Sequence, residues 1–209
     1  MSKGLDPRPP ARRVPASRGV AFAAVAAAGL AADLVSKAIV FDWPAKLTGE
    51  VVYWWWPGYA GIQTSLNQGA LFGIGHGAVG VFAAVSVVAA IAIPVWLFYG
   101  RAAHDWWLTV TLALVMAGVL GNLYDRLGLH GEVWPDGHPL AGRQVYAVRD
   151  WILWQLNDQW RWPNFNLADA FLVVGAGTLL VRAWLEPHPE AERAPAQRPA
   201  SEPAESATA

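Results

Sequence analysis

The polar residues that can do chemistry in this chain are few, and most fall in three short groups at helical spacing. Within each group the members lie three or four positions apart, which places them on one face of a helix. An ionisable side chain inside a hydrocarbon layer costs roughly 2.5–3.5 kcal/mol, so each needs a structural or functional reason. The three groups are Asp33, Ser36 and Lys37; Asn122, Asp125 and Arg126; and Asn166 and Asp169.

Asp125 and Asp169 are two carboxylates that reach the same depth if their helices pack antiparallel. Two carboxylates in a low dielectric cannot both ionise cheaply, so one keeps its proton and the pair titrates as a unit. Such a pair can hydrolyse a peptide. The ionised member removes a proton from water, and the protonated member hydrogen-bonds the substrate carbonyl. Asn122 and Asn166 can hold carboxylate oxygens or substrate backbone, and Arg126 can balance charge.

Spacing alone leaves other interpretations open. Asp33 and Lys37 fit a buried ion pair that cancels its own charge, which is a structural role. The two asparagines fit interhelical hydrogen bonding, and Asp125 and Arg126 fit an ordinary pair at a helix end. The same aspartates can also line a proton or cation path in a small transporter. A third class is an assembly subunit whose Trp-rich loops bind a partner.

The elements that must position these groups are four long apolar runs, at residues 20–40, 78–99, 106–123 and 165–185. About 20 helical residues cross the roughly 30 Å hydrocarbon core of a bilayer, so each run predicts a transmembrane helix. Of the 209 residues, 55% are hydrophobic and only 15% are charged. The net charge of −1 offers no basic field for nucleic acid, and the lack of Cys excludes disulfides and thiolate chemistry.

The chain is predicted to form one membrane domain, residues 20–185, between two Pro-rich tails, 1–19 and 186–209, which we expect to be disordered. Basic residues indicate the orientation. Nine Lys or Arg fall in the tails, the short turn between the second and third runs, and the end of the last run, against five in the loops 41–77 and 124–164. Both termini are therefore expected in the cytoplasm and both long loops outside.

The outer loops contain segments rich in Trp and β-branched residues. Residues 51–56 and 61–66 have strand composition and predict a small extracytoplasmic β-sheet on the outer membrane face. Residues 150–160 predict a short amphipathic surface helix with its Trp and Ile side chains toward lipid. The predicted fold class is an all-α polytopic membrane protein: four transmembrane helices, this small sheet and this short surface helix.

Five motifs occur in a fixed order along the chain. They are D-L-V-S-K at 33–37, N-Q-G-A-L-F-G at 67–73, G-N-L-Y-D-R-L at 121–127, V-R-D-W-I at 148–152 and F-N-L-A-D-A at 165–170. Together they resemble the motifs of lipoprotein signal peptidase, also called signal peptidase II, the bacterial aspartic protease of the inner membrane. Leu71 stands where that family usually has Ala, and Trp151 where it has Phe.

The resemblance implies an activity and roles for named residues. The family cleaves diacylglyceryl-modified prolipoproteins just before the lipidated Cys, uses no metal or organic cofactor, and is blocked by globomycin-type cyclic depsipeptides. We therefore expect a monomeric multi-pass protein of the bacterial cytoplasmic (inner) membrane, surrounded by membrane lipids, with its active site near the outer face. By resemblance, Asp125 and Asp169 look like the catalytic dyad, Asn67, Asn122, Arg126 and Asn166 look like substrate-binding or supporting residues, and Asp33 and Lys37 look like structural polar residues.

The interval between the two predicted catalytic aspartates, 44 positions from 125 to 169, is longer than the family's usual one. The excess lies in a Gly/Pro-rich insert at 129–147. Closure entropy grows only logarithmically with loop length, so the dyad can survive while substrate preference or access changes. Within and after the insert, His130 and His138 are expected to be solvated, and Asp136 and Asp150 to be surface or structural residues.

Overall fold

The computed structural model describes residues 13–42, 51–69, 78–157 and 159–185. Within these ranges the helices are α1 (Ala16–Phe41), α2 (Val79–Pro94), α3 (Trp106–Arg126) and α4 (Leu167–Leu185). A π-helical turn, Val95–Tyr99, extends α2, and a 3-10 turn, Ala102–His104, precedes α3. The strands are β1 (Tyr53–Trp56), β2 (Ala60–Asn67), β3 (Val148–Asn157) and β4 (Trp160–Phe165).

All four helices are long and apolar enough to cross a membrane, with α2 counted through Tyr99. The four predicted spans are thus confirmed. The first helix begins at Ala16, so the last residues of the expected N-terminal disordered tail are helical. Residues 13–15 precede the helix without regular structure, and residues 1–12 and the expected C-terminal tail, 186–209, lie outside the described residues.

The third helix is the centre of the bundle. Of its apolar stretch 61% is buried inside the protein, against 17% for α1, 6% for α2 and 11% for α4. Small residues allow this close approach: Gly29 of α1 faces Ala117, and Gly118 faces the Ala168 carbonyl and Leu172 of α4. The other three helices keep most of their apolar surface on the outside, as expected of helices surrounded by lipid.

The four strands form one antiparallel sheet in the order β1-β2-β3-β4. Strand β3 pairs with β2 so that Ser65 lies opposite Asp150 and Asn67 opposite Val148. Val40 and Phe41, at the end of α1, pack with Ile62 and Trp151 in one buried cluster. The predicted small sheet is therefore confirmed, and it lies at the end of the bundle where α1 and α3 finish and α4 begins.

The predicted surface helix at residues 150–160 is wrong. That segment belongs to β3, which is a central strand, and to the start of β4. The physical reason is pairing on both sides: Asp150 lies opposite Ser65 of β2, and Trp154 lies opposite Trp162 of β4. The Trp and Ile residues that favoured an amphipathic helix are equally typical of a strand, and the cross-strand partners decide between the two.

The insert folds back on itself. Val133 forms an isolated antiparallel bridge with Gln144, and the ring of His138 stacks on Trp134 with 4.0 Å between centroids. Both histidines are half-buried rather than freely solvated, and His130 Nδ1 accepts a hydrogen bond from the Glu132 backbone N–H at 3.0 Å. Asp136 is exposed, as expected.

Gly118 offers a direct test of this helix packing. A Cβ added there would lie 2.5 Å from the Ala168 carbonyl oxygen, whereas nothing lies within 4 Å of a Cβ at Gly177 of α4. We expect Gly118→Ala to lower the free energy of unfolding by about 1–3 kcal/mol through overpacking, and Gly177→Ala to cause no loss. Thermal unfolding in detergent measures both. Equal unfolding temperatures for the two variants would contradict the packing of α3 on α4.

Candidate active site

A buried lysine lies where α1 and α3 meet. Lys37 Nζ is 2.8 Å from Asp33 Oδ2, one turn earlier, and 3.2 Å from Asp125 Oδ2 of α3. It also donates to Asn122 Oδ1 at 3.2 Å. All three charged side chains are 0% exposed. Since an isolated charge in such surroundings is very costly, the amine and the carboxylates hold each other in place.

The same cluster reaches the fourth helix through Asp33. Its Oδ1 accepts a hydrogen bond from the Ala168 backbone N–H at 2.9 Å, in the first turn of α4. Negative charge is stabilised at a helix N-terminus, where backbone N–H groups are unpaired. Asp33 and Lys37 therefore lie where the predicted structural ion pair places them, and they also connect α1 to α3 and α4.

Asp125 is enclosed by two cations. Its Oδ1 accepts from Arg149 Nε at 3.1 Å and Nη2 at 2.9 Å, and its Oδ2 accepts from the Arg149 backbone N–H at 2.9 Å. Lys37 contacts Oδ2 from the other side. Both oxygens are thus occupied, and none of the residue is exposed to solvent. These short, charge-assisted hydrogen bonds fix the orientation of the carboxylate and leave neither oxygen without a partner.

Asp169 lies in the first turn of α4, in a reciprocal arrangement with Asn166. The Asp169 backbone N–H donates to Asn166 Oδ1 at 3.0 Å, and the Asn166 backbone N–H donates to Asp169 Oδ2 at 3.3 Å. This is the geometry of a capping box, which explains why the F-N-x-A-D sequence starts a helix here. Asn122 of α3 donates to the other oxygen, Asp169 Oδ1, at 2.8 Å. The carboxylate is half-buried.

Asp150, expected to be surface or structural, is 1% exposed and lies among the predicted site residues. Asn166 Nδ2 donates to its Oδ1 at 2.6 Å, and Asn67 Nδ2 donates to its Oδ2 at 3.1 Å. Burial raises the pKa of Asp150 to about 8, and the nearby negative charge of Asp169 adds to the rise. Asp150 and Asp169 are thus linked through one shared side chain, Asn166.

The two asparagines of the helices form a continuous amide bridge. Asn166 Nδ2 also donates to Asn122 Oδ1 at 3.2 Å, the oxygen that accepts from Lys37. Asn122 thereby connects the charged cluster to Asp169, and Asn166 connects Asp169 to Asp150. Both are buried, at 3% and 0% exposure, so their hydrogen bonds hold the carboxylates in fixed orientations.

Arg126 and Asn67 hold the chain that leaves β2. Arg126 Nη2 donates to the Gly69 carbonyl at 3.1 Å, and its guanidinium lies over the Phe82 ring, 5.5 Å from the centroid. Asn67 Oδ1 accepts from the Gly69 N–H at 2.9 Å. Arg149, which pairs with Asp125 together with Lys37, was not among the predicted site residues. The rest of the second motif, residues 70–73, lies outside the described ranges.

In the part of the chain that is described, no group of three or more His, Asp or Glu side chains is arranged to hold a metal ion. The expectation of a cofactor-free site stays a prediction.

Comparison with known proteins identifies the family. The profile of signal peptidase (SPase) II matches residues 25–185. A lipoprotein signal peptidase of Rhodopirellula baltica is 48% identical over 196 residues, which cover 91% of this chain and 86% of the relative. This chain belongs to the signal peptidase II family. The resemblance read from the five motifs is thereby confirmed.

Other signal peptidase II relatives and solved structures agree with this assignment. A lipoprotein signal peptidase of Pseudomonas syringae pv. tomato is 36% identical over 152 residues, covering 70% of this chain and 76% of the relative. Two solved structures titled as bacterial membrane enzymes superimpose with TM-scores of 0.62 and 0.61 at 23% identity. They cover 79% and 81% of this chain and 88% and 95% of their own. At that identity they show the fold, which is that of a multi-pass membrane protein.

The buried lysine gives a stability prediction for this signal peptidase II homologue. Lys37→Met leaves Asp33 and Asp125 buried with less compensation, and we expect the free energy of unfolding to fall by about 3–5 kcal/mol. Adding Asp33→Asn removes one of the stranded charges and should recover part of that loss. Thermal unfolding of both variants in detergent measures the effect. An unchanged unfolding temperature for Lys37→Met would show that the ion cluster does not hold the helices together.

Proposed function

We propose that this chain is an aspartic endopeptidase that removes signal peptides from diacylglyceryl-modified prolipoproteins, cutting before the lipidated Cys. The names of its relatives support the substrate class, since those proteins are lipoprotein signal peptidases. The observation that carries the catalytic assignment is the buried carboxyl of Asp150, which shares Asn166 with Asp169. In this proposal these two residues activate the water.

Asp169 keeps the catalytic role expected from the sequence, but we assign it a different partner. Asp125 was expected to be that partner, but two cations already bind its oxygens. Among the described residues, the side chains that donate to Asp150 are the amides of Asn67 and Asn166. A neutral amide donor favours the ionised carboxylate less strongly than a cation does. We therefore assign Asp125 a positioning role and Asp150 the catalytic one.

The revised pair also accounts for the long interval. Asp150 precedes Asp169 by 19 positions (150 to 169), and the insert at 129–147 falls before both of them. The insert therefore separates Asp125 from Asp150 and does not separate the two reacting groups. The extra length therefore lies between the positioning residue, Asp125, and the catalytic pair.

The chemistry follows from one proton shared by two carboxyls. The ionised member takes a proton from water as the oxygen attacks the carbonyl carbon, and the protonated member donates a hydrogen bond to the carbonyl oxygen. The tetrahedral intermediate then collapses as the C–N bond breaks, and a carboxyl gives its proton to the leaving amine. Asn122 and Asn166 keep the pair oriented through both steps.

The substrate's lipid has a place beside this pair. An almost wholly apolar cavity of about 240 Å³ opens next to Asp169, between the sheet and the side of α4. Its walls include Trp154, Trp162, Phe165 and Val173. In our proposal a prolipoprotein enters laterally from the bilayer, and this cavity receives apolar substrate groups while the peptide reaches the carboxyls.

The membrane placement expected from the basic residues belongs to the same proposal. Both termini lie in the cytoplasm, and the sheet and the carboxyl pair lie at the outer face of the cytoplasmic (inner) membrane. The protein works as a monomer among membrane lipids, without a cofactor, and globomycin-type depsipeptides compete with the substrate. The transporter and assembly-subunit alternatives have no support from the relatives, which are named as peptidases.

Four substitutions distinguish the two carboxyl pairs. With a diacylglyceryl-modified prolipoprotein as substrate, we expect Asp150→Asn and Asp169→Asn to lose roughly 10³-fold or more in turnover while remaining folded. Asp125→Asn should unfold at a lower temperature yet keep measurable turnover per folded molecule. Asp136→Asn, at an exposed position of the insert, is the matched control and should be unchanged. A gel-shift assay measures cleavage, and thermal unfolding measures the folded fraction.

The outcome decides the assignment. Full turnover in Asp150→Asn combined with none in folded Asp125→Asn would return the dyad to Asp125 and Asp169. No cleavage of any diacylglyceryl-modified substrate by folded wild type would end the proposed function.

A further inference from the structure

A second cavity, here named the insert cavity, is formed largely by the insert. Its volume is about 460 Å³. Gln68, just after β2, forms one wall, and the insert supplies most of the rest. The insert residues that matter to the argument are Trp134, Leu140, Arg143 and Tyr146.

At two places, residues that line the insert cavity are close in sequence to residues of the candidate active site. Gln68 stands between Asn67, which donates to Asp150 at 3.1 Å, and Gly69, which accepts from Arg126 at 3.1 Å. Tyr146 precedes Asp150 by four positions (146 to 150), and four residues span at most about 14 Å. An extended peptide with its scissile bond at the carboxyl pair therefore reaches the cavity within a few residues.

The lining suits a peptide with an acidic group. Trp134, Leu140 and Tyr146 offer apolar and aromatic surface, and the Arg143 side chain is exposed. Within the described ranges the Arg143 guanidinium makes no ion pair, and only the residue's backbone is hydrogen-bonded. An exposed guanidinium in the same cavity as aromatic side chains can bind a carboxylate while the aromatic rings pack against neighbouring substrate side chains.

The position of the insert relative to the membrane decides which part of the substrate can occupy the insert cavity. The insert contains turns whose backbone groups are not paired in a helix or barrel, so it lies in water rather than in hydrocarbon. A signal peptide and a diacylglyceryl group both remain in lipid. The segment after the lipidated Cys is the part of a prolipoprotein that extends into water from the scissile bond.

We propose that the insert cavity binds the segment that follows the lipidated Cys and pairs Arg143 with a carboxylate in it. This inference rests on the proposed function and adds a substrate preference to it. At about 3.3 Å per residue, the third to fifth residues after the scissile bond reach the cavity. The insert would then select prolipoproteins by their first mature residues.

Three synthetic diacylglyceryl-modified substrates test the inference. One ends at the lipidated Cys, one carries Asp at the third to fifth positions after the scissile bond, and one carries Lys there. Arg143→Glu is the variant, and Arg101→Glu is the matched control, because it makes the same charge change in an exposed turn at the opposite end of the bundle.

We expect Arg143→Glu to raise KM for the Asp substrate about five- to tenfold with kcat unchanged, and to lower KM for the Lys substrate. Cleavage of the short substrate should be unchanged, and Arg101→Glu should change none of the three. Equal effects on all three substrates, or no effect on any, would overturn the inference.

Three further outcomes can be told apart. If the change in KM followed the anionic lipid content of the vesicles and not the peptide sequence, Arg143 would bind a lipid headgroup and the inference would be wrong. If wild type cleaved the short substrate but showed no Asp-over-Lys preference, only this inference would fail. If folded wild type cleaved none of the three, the proposed function would fail with it.

Discussion

The burial of Lys37 is the constraint on which the rest of the structure depends. A fully buried amine needs carboxylates, and Lys37 finds one on its own helix and one on α3. Asp33 in turn binds the backbone at the start of α4. These ionic and hydrogen-bonding contacts therefore fix the positions of α1, α3 and α4 relative to one another. The small residues of α3 allow the close contact that this arrangement requires.

The charged cluster also decides which carboxyls are left for chemistry. Lys37 and Arg149 supply two positive charges, and Asp33 and Asp125 supply two negative ones, so the four side chains are balanced among themselves. Asp150 and Asp169 lie outside that balance and receive amide and backbone donors instead. In the part of the chain that the structure describes, no cation forms an ion pair with either of them, and two such carboxyls can share one proton. The separation into a charged, saturated half and an amide-bonded half is the central feature of our account.

Asn122 and Asn166 connect the two halves, and each uses both ends of its amide. Asn122 accepts from Lys37 and donates to Asp169, while Asn166 accepts from the Asp169 N–H and donates to Asp150. Replacing either amide with a group that only accepts or only donates would leave a partner unpaired. This explains why the N-x-x-D and N-x-A-D spacings recur together in the chain.

Much of the fold could be predicted from the sequence because hydropathy alone marks a transmembrane helix. The Asp33–Lys37 pair and the convergence of Asn122, Asp169 and Asn166 followed from helical spacing in the same way. Asp150 and Arg149 could not be placed so easily. Their neighbours are set by the register of β3 against β2, and Arg149 meets Asp125 across 24 positions of chain. The V-R-D-W-I motif was the available signal, yet the helix prediction for residues 150–160 placed it on a surface.

The measurement that tests the account most directly is infrared absorption of protonated carboxyl groups as a function of pH. Burial and the charge of Asp169 raise the pKa of Asp150 to about 8, so its proton persists at neutral pH and leaves as the pH passes that value. We expect a carboxyl band in wild type that disappears above about pH 8. The band should be absent in Asp150→Asn and retained in folded Asp125→Asn. A band lost in Asp125→Asn and retained in Asp150→Asn would contradict the separation of the two halves.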